Sequence, residues 1–481
     1  MLRLFTAVTL CLLTLWGLIN PLDAAESKPL NVLFIAADDL RCDLGCYGDP
    51  LVKSPHLDAL AAEGLRFNRA YCQQAVCNPS RASLLTGRRP DTLQLYNLVK
   101  HFRDELPNVV TLPEHFKNNG YFTQNIGKVF HNWRTETQGD PQSWSVPAVM
   151  HYNRHGEDTA KVEGEVPADQ APHPRTFARD VPDAAYFDGR IADLAVEAIE
   201  ERQQAEKPFF LAVGFWKPHL PFNAPLDYWQ QYQRSQFSLP LNPEPPENVP
   251  PLALHDSREL FRSSNGQPPT DQETLELRHG YFAAITYMDR QVGKVLAALE
   301  EAGLRDNTII VFWSDHGFHL GEHSLWCKTS NFELDARVPL IIAPPNYQHA
   351  GQSTDSLTEL LDIYPTLVDL CDLPKVSGLE GTSLVPVLKN PELSSKDYAL
   401  TQHPRPAYYK GQPDSMGYSL RTDHYRYTEW RDWESGKVVA QELYNHQTDP
   451  GENHNVAAKH PGLVKTLSQK LSAEFGLKSA P

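Results

Sequence analysis

Positive charge is scarce in this chain. Its 44 basic side chains are outnumbered by 60 acidic ones, for a formal net charge of −16. A field of that sign argues against general binding to nucleic acid or to an anionic membrane. Any anion-binding site must then be a local basic pocket inside an acidic shell, and Thr86-Gly87-Arg88-Arg89-Pro90 is one such local patch. Long apolar runs are missing beyond the first 25 residues, so no membrane-spanning helix and no stable membrane insertion are expected there. The 7 cysteines have no regular spacing, which excludes a disulfide framework and leaves room for one unassigned bridge. Cys42 and Cys46 are close enough in sequence to pair locally but read as packing. Internal repeats are absent.

At the N-terminus, Arg3 is followed by an apolar run from Leu4 to Ile19 and by small residues at Ala24-Ala25. This is the pattern of an export signal. The run falls short of the ~20 residues a spanning helix needs. Export to a periplasmic or extracellular space is therefore expected, with an uncleaved anchor as the alternative.

The length suggests two or three domains, or one large α/β domain with an appendage. Continuous apolar runs at Asn31–Ala37, Pro208–Phe215, Thr308–Trp313 and Val338–Ala343 fit strands buried on both faces of a parallel sheet. Tyr121–Gly127 is a further strand. Helices are expected over Ser54–Phe67, Leu112–Asn119, Asp183–Gln203 and Glu273–Ala302, each closed by glycine or a polar residue. Trp133–Pro182 and Leu239–Pro269 read as surface loops. Four strand ends carry chemistry: Asp38-Asp39, Lys128 with His131, Lys217-Pro218-His219, and Ser314-Asp315-His316-Gly317. The carboxyl ends of strands are where open α/β sheets bind ligands, and adjacent acids there either hold a hard cation or cap the next turn. From about Asn390 short strands separated by Thr422-Asp423 and Ser435-Gly436 turns indicate an antiparallel sheet, followed by a helix over His460–Phe475. The expected division is 1–25 signal, 26–389 catalytic domain and 390–481 C-terminal antiparallel subdomain.

One stretch organises the rest: Val76-Cys77-Asn78-Pro79-Ser80-Arg81-Ala82-Ser83-Leu84-Leu85-Thr86-Gly87. Proline early and glycine just past the end punctuate a short helix, which puts Cys77 at a helix N-terminus, where negative charge is favoured. The string resembles the C-x-P-S-R signature of the sulfatases, including its Thr-Gly close. The resemblance extends over nearly the whole mature chain and implies an alkaline-phosphatase-like fold. Its strings Gly127-Lys-Val-Phe-His131 and Met416-Gly-Tyr-Ser-Leu-Arg-Thr422 look most like the iduronate-2-sulfatase branch.

The resemblance implies that a maturation enzyme oxidises Cys77 to formylglycine. It also implies that Asp38, Asp39, Cys77, Asp315 and His316 hold one calcium ion, with His316 either a weak ligand or a hydrogen-bond donor to substrate. Arg81 and Lys128 would steady the nucleophile. His219 and Lys328 would bind sulfate and protonate the leaving oxygen, and His131 would act as base. Lys328 has neighbours, Cys327 and Thr329, that carry no signal of their own. Arg405 and His403, in a proline-flanked turn, are expected at the pocket rim, pairing with a uronate carboxylate. The substrate class is a sulfated sugar. Competing readings are a phosphoester or phosphonate hydrolase of the same fold, a non-catalytic glycan-binding relative, and, for His316, His319 and His323, a zinc cluster that Gly317 and Gly321 argue against.

Overall fold

The computed structural model describes residues 28–131, 139–151, 175–264 and 266–477. The expected export signal lies outside the described residues, as does much of the 133–182 loop. The main elements in chain order begin with β1 (Asn31–Asp38), α1 (Pro55–Glu63), β2 (Leu65–Phe67), α2 (Cys77–Thr86), α3 (Leu112–Asn118) and β3 (Phe122–Gly127). Next come α4 (Phe187–Arg202), β4 (Phe209–Pro218), α5 (Arg258–Phe261), α6 (Asp271–Glu301) and β5 (Thr308–Ser314). β6 (Leu340–Ala343), β7 (Ser353–Thr354) and α7 (Ile363–Leu370) complete the large layer. The chain ends with β8 (Ala399–Arg405), β9 (Ser415–Arg421), β10 (Tyr425–Asp432), β11 (Val438–Asn445) and α8 (Pro461–Glu474).

The seven-stranded sheet runs β7-β2-β6-β5-β1-β4-β3. Every residue of β1 is buried, and its side chains alternate between two cores. Leu33, Ile35 and Ala37 join the core under α1, α4 and α6. Val32, Phe34 and Ala36 join the one under α2, α3 and α7. That period-2 division of an all-apolar run is what a strand covered on both faces requires. The long α6 starts from a capping box, Thr270 with Glu273. The four-stranded β8-β9-β10-β11 sheet is antiparallel throughout and packs its own core against α8.

Strands β3, β4, β1 and β5 are neighbours and parallel, so their carboxyl ends stand side by side. Two expectations need correction. The first helix stops at Glu63, and Leu65–Phe67 is a strand, because the chain turns at Gly64. The Val338–Ala343 run contributes β6, which is antiparallel to both β5 and β2, so the sheet is mixed. An antiparallel neighbour needs no crossover helix. The connection over 315–339 therefore stays at the carboxyl end of β5 and delivers its side chains there. The loops are also less bare than expected: Thr176–Arg179 pairs with Phe222–Pro225, and α5 forms inside the proline-rich 239–269 stretch.

Gly127, at φ +81°, pairs with Gly214 at the end of the parallel β3–β4 register; a Cβ on Gly214 would collide with the Lys128 backbone. Gly214→Ala is expected to cost about 1–3 kcal/mol of stability, the range for overpacking, read as a lowered urea midpoint.

Candidate active site

β1 delivers two consecutive carboxylates to one place. Side chains on a strand alternate in direction, so a continued strand would split Asp38 from Asp39. Asp39 instead takes a left-handed φ of +64°, a conformation aspartate tolerates better than most residues. Both acids then face the pocket, and both are fully buried. The Asp39 N–H donates to Asp315 Oδ1 at 3.1 Å, which ties the end of β1 to the end of β5.

Cys77 is the first residue of α2, with Pro79 two positions inside and Gly87 closing the helix at φ +66°. Its sulfur lies 3.4 Å from Asp38 Oδ1 and 3.4 Å from His316 Nε2. Lys128 Nζ, from the end of β3, stands 3.8 Å from the same sulfur and pairs with Asp38 Oδ2. One turn into α2, Arg81 is wholly buried. Its guanidinium donates to Asp315 Oδ2 at 2.8 Å, to the carbonyls of Lys128 and Val129 at 2.6 and 3.1 Å, and to that of Ala37 at 3.0 Å. Arg81 thereby joins the ends of β1, β3 and β5. Burial, reinforced by Asp38, pushes the Cys77 thiol well above its ordinary range. Here burial outweighs the helix N-terminus, an environment that disfavours a thiolate. Burial and then Lys128 push His131 well below the usual imidazole range, which leaves it neutral and able to accept a proton.

His316 Nδ1 lies 3.0 Å from the Gly317 carbonyl. A carbonyl only accepts, so Nδ1 carries the proton and Nε2 offers a lone pair. That lone pair faces the Cys77 sulfur and Asp39 Oδ1, the latter at 3.4 Å. His219, just past β4, donates from Nδ1 to the Leu220 carbonyl at 2.8 Å, which turns Nε2 toward the site. Lys328 Nζ donates to Asp39 Oδ2 at 3.0 Å and stands 3.2 Å from His219 Nε2. Its neighbours Cys327 and Thr329 have φ of +71° and +95°. For a β-branched threonine this is a strained conformation, and it accompanies a lysine turned into the pocket. Sequence reading missed Glu259, which touches both Lys328 and His219. The available signal was Asp256-Ser257 before Leu260-Phe261, a helix start inside a supposed loop.

Some expected site residues lie elsewhere. Arg405 is not a rim cation. Its guanidinium is buried and donates to the carbonyls of Leu252, Ala253, Leu254, Thr329 and Pro404 at 2.7–3.2 Å, stacked over Trp430. His403 is fully buried beside it, with Nδ1 3.1 Å from Arg405. The Arg405 guanidinium has no face left for a carboxylate, while His403 Nε2 is buried with no hydrogen-bond partner among the described residues. The Arg88-Arg89 patch is also committed, since Arg89 forks onto Glu359 at 2.7 and 3.0 Å. The three histidines of the zinc reading diverge: His319 bonds Asp335 at 2.6 Å, and His323 reaches the Gly451 carbonyl at 2.8 Å. All six described cysteines are free.

The donors suit a hard cation. Ligand atoms of Asp38, Cys77, Asp315 and His316 lie within 4.8 Å of one another. Asp39 Oδ1 is buried with no hydrogen-bond partner among the described residues. Burial raises the Asp39 carboxyl, and Asp38 adds to this, against the pull of His219 and Lys328. Burial would raise Asp38 too, but Lys128, His219 and Arg81 together hold it well below the carboxylate range. A divalent ion among these oxygens would relieve the unpartnered atom.

Acids gathered for a cation, a nucleophile position on a helix start, and lysine and histidine facing both define a hydrolase of tetrahedral oxyanion esters. The chain belongs to the sulfatase family: residues 30–373 match the sulfatase family, and residues 321–475 match the C-terminal region of N-sulphoglucosamine sulphohydrolase. It is a sulfuric ester hydrolase. Iduronate 2-sulfatase of Mus musculus is 36% identical over 521 residues, spanning 92% of this chain and 94% of that protein. Among solved structures, one in complex with its substrate D-glucosamine-2-N,6-O-disulfate superposes with a TM-score of 0.74 at 22% identity, covering 93% of this chain and 98% of that one. A phosphonate monoester hydrolase from Silicibacter pomeroyi gives 0.78 at 24%, covering 94% and 96%. At those identities the two structures establish the fold alone, which is alkaline-phosphatase-like. Among the described residues no helix is long and apolar enough to cross a membrane.

Proposed function

We propose that this chain is an exported exo-sulfatase that removes sulfate from uronate-containing glycans, using formylglycine made from Cys77 by a maturation enzyme and one calcium ion. The observation that carries this is the setting of the Cys77 sulfur, 3.4 Å from both Asp38 Oδ1 and His316 Nε2, among the acids that would hold the cation. A hard cation there favours an oxygen nucleophile, which formylglycine would supply. The likeness to iduronate 2-sulfatase across most of the chain supports the substrate class.

The division of labour follows from the contacts. Asp38, Asp39, Asp315 and His316 would hold calcium, which supplies charge to polarise a sulfate oxygen and favour an anionic nucleophile. Formylglycine supplies paired hydroxyls once hydrated. Arg81 and Lys128 orient position 77 and balance the acids around it. Lys328 and His219 receive the sulfate and hand a proton to the departing sugar oxygen. His131, kept neutral by burial, takes a proton from position 77. The catalytic part would occupy 26–389 and the antiparallel part 390–481. Their seam lies close to the site: Gln402 N–H donates to the Gln73 carbonyl at 2.9 Å, and the Thr401 hydroxyl to that of Cys72 at 2.9 Å.

The test is a panel of substrates with a metal assay. Release of sulfate from a terminal sulfated uronate, far above that from an internal one or from a phosphonate monoester, is the expected result. Faster phosphonate hydrolysis would replace the sulfate assignment. Purified protein should carry one calcium per chain by elemental analysis, and chelation should lower its melting temperature.

A further inference from the structure

The segment before α6 contributes an acid to the pocket that none of the roles above uses. Glu259 sits on α5, and two contacts make that short helix a fixed support. The Trp326 N–H donates to the Ser257 hydroxyl at 3.0 Å, and Leu260 is buried in the main core. From there the Glu259 carboxylate touches both Lys328 and His219. Its Oε2 is 2.7 Å from Lys328 Nζ, and its Oε1 is 2.8 Å from the same nitrogen and 3.1 Å from His219 Nε2.

The triangle has a physical reason. Lys328 Nζ and His219 Nε2 stand 3.2 Å apart, so a proton on that face of the imidazole is opposed by the ammonium unless an anion lies against both. Lysine also has a flexible four-carbon stem. Its other anchor is Asp39, at 3.0 Å, and Asp39 is among the proposed calcium ligands. Once Asp39 is committed to the cation, Glu259 is the tether that remains. A carboxylate at this position weakens attraction for a sulfate anion, so a gain in substrate affinity does not account for it. What it supplies is alignment.

We propose that Glu259 is a positioning residue that holds Lys328 and His219 against the bridging oxygen of the leaving alcohol. When the S–O bond breaks, its electron pair stays on the sugar oxygen, and the proton that this oxygen needs comes from one of the two groups Glu259 aligns. The proposal rests on the roles given to Lys328 and His219 under the proposed function. It also makes α5 part of the reaction machinery.

The experiment compares a sugar sulfate with 4-nitrophenyl sulfate, whose phenolate departs without a proton. Glu259→Gln keeps the shape and removes the charge. It should lower kcat on the sugar sulfate by about 10²-fold, the low end of a general-acid contribution, with KM unchanged or reduced, and should lower kcat on the aryl sulfate by less than about tenfold. Glu259→Asp should recover part of the sugar-sulfate rate. Equal losses on both substrates, or a raised KM with kcat unchanged, would overturn the proposal. His219→Ala and Lys328→Ala are run in parallel. If they show the leaving-group dependence and Glu259→Gln does not, the positioning role alone fails. If neither shows it, the proton-donor roles fail and the positioning role goes with them.

Discussion

Replacing Cys77 by alanine is expected to abolish sulfate release, a loss on the order of 10⁵-fold in kcat, as for removal of a nucleophile elsewhere, with the fold intact. The side chain is small, and the helix it starts is held by others: Arg81 ties α2 to three strand ends, and Leu84 and Leu85 are buried in the core. Alanine leaves no reactive atom beside Asp38 and His316 while removing little apolar contact. Cys77→Ser should be equally inactive, because one hydroxyl cannot do the work of a hydrated aldehyde. Steady-state kinetics on a sulfated uronate, with circular dichroism and a melting curve for each variant, provide the check. Retained activity in Cys77→Ala would place the chemistry on another residue, and retained activity in Cys77→Ser would remove the need for the hydrated aldehyde.

The second large effect concerns stability. Arg81→Leu is expected to destabilise the protein by about 3–5 kcal/mol, the penalty for removing one partner of a buried ion pair. The substitution leaves Asp315 without its 2.8 Å partner and strips donors from the carbonyls of Ala37, Lys128 and Val129. Those acceptors are fully buried, so water cannot replace the guanidinium. Lysine offers one nitrogen where a planar fork serves several acceptors, so Arg81→Lys should rescue only part of the loss. Denaturant unfolding measures both variants. A wild-type midpoint in Arg81→Leu would mean that the strand ends are joined by something other than this residue.

What was legible in the sequence follows a physical division. Asp38, Lys128, His219 and Asp315 could be placed together because each follows a buried apolar run, and parallel strands put such ends on one edge. The direction of β6 could not be read, because a run such as Leu340–Ala343 looks the same in either orientation. Lys328 reaches the pocket through left-handed neighbours, a backbone state that Cys327 and Thr329 do not advertise. Glu259 was hidden because a helix of four residues has no periodicity to detect. Arg405 was misplaced for a related reason. Its prolines suggested an exposed turn, whereas its environment is a set of carbonyls from residues about 150 positions earlier, a long-range meeting that local pattern does not encode.

The central claim is that an oxidised residue 77 and a cation held by Asp38, Asp39 and Asp315 work in one pocket. Mass spectrometry of the peptide spanning Cys77, taken from fully active protein, tests it most directly. The account predicts the mass in which CH₂–SH has become an aldehyde, in proportion to specific activity across preparations. An unmodified thiol in protein of full activity would contradict it.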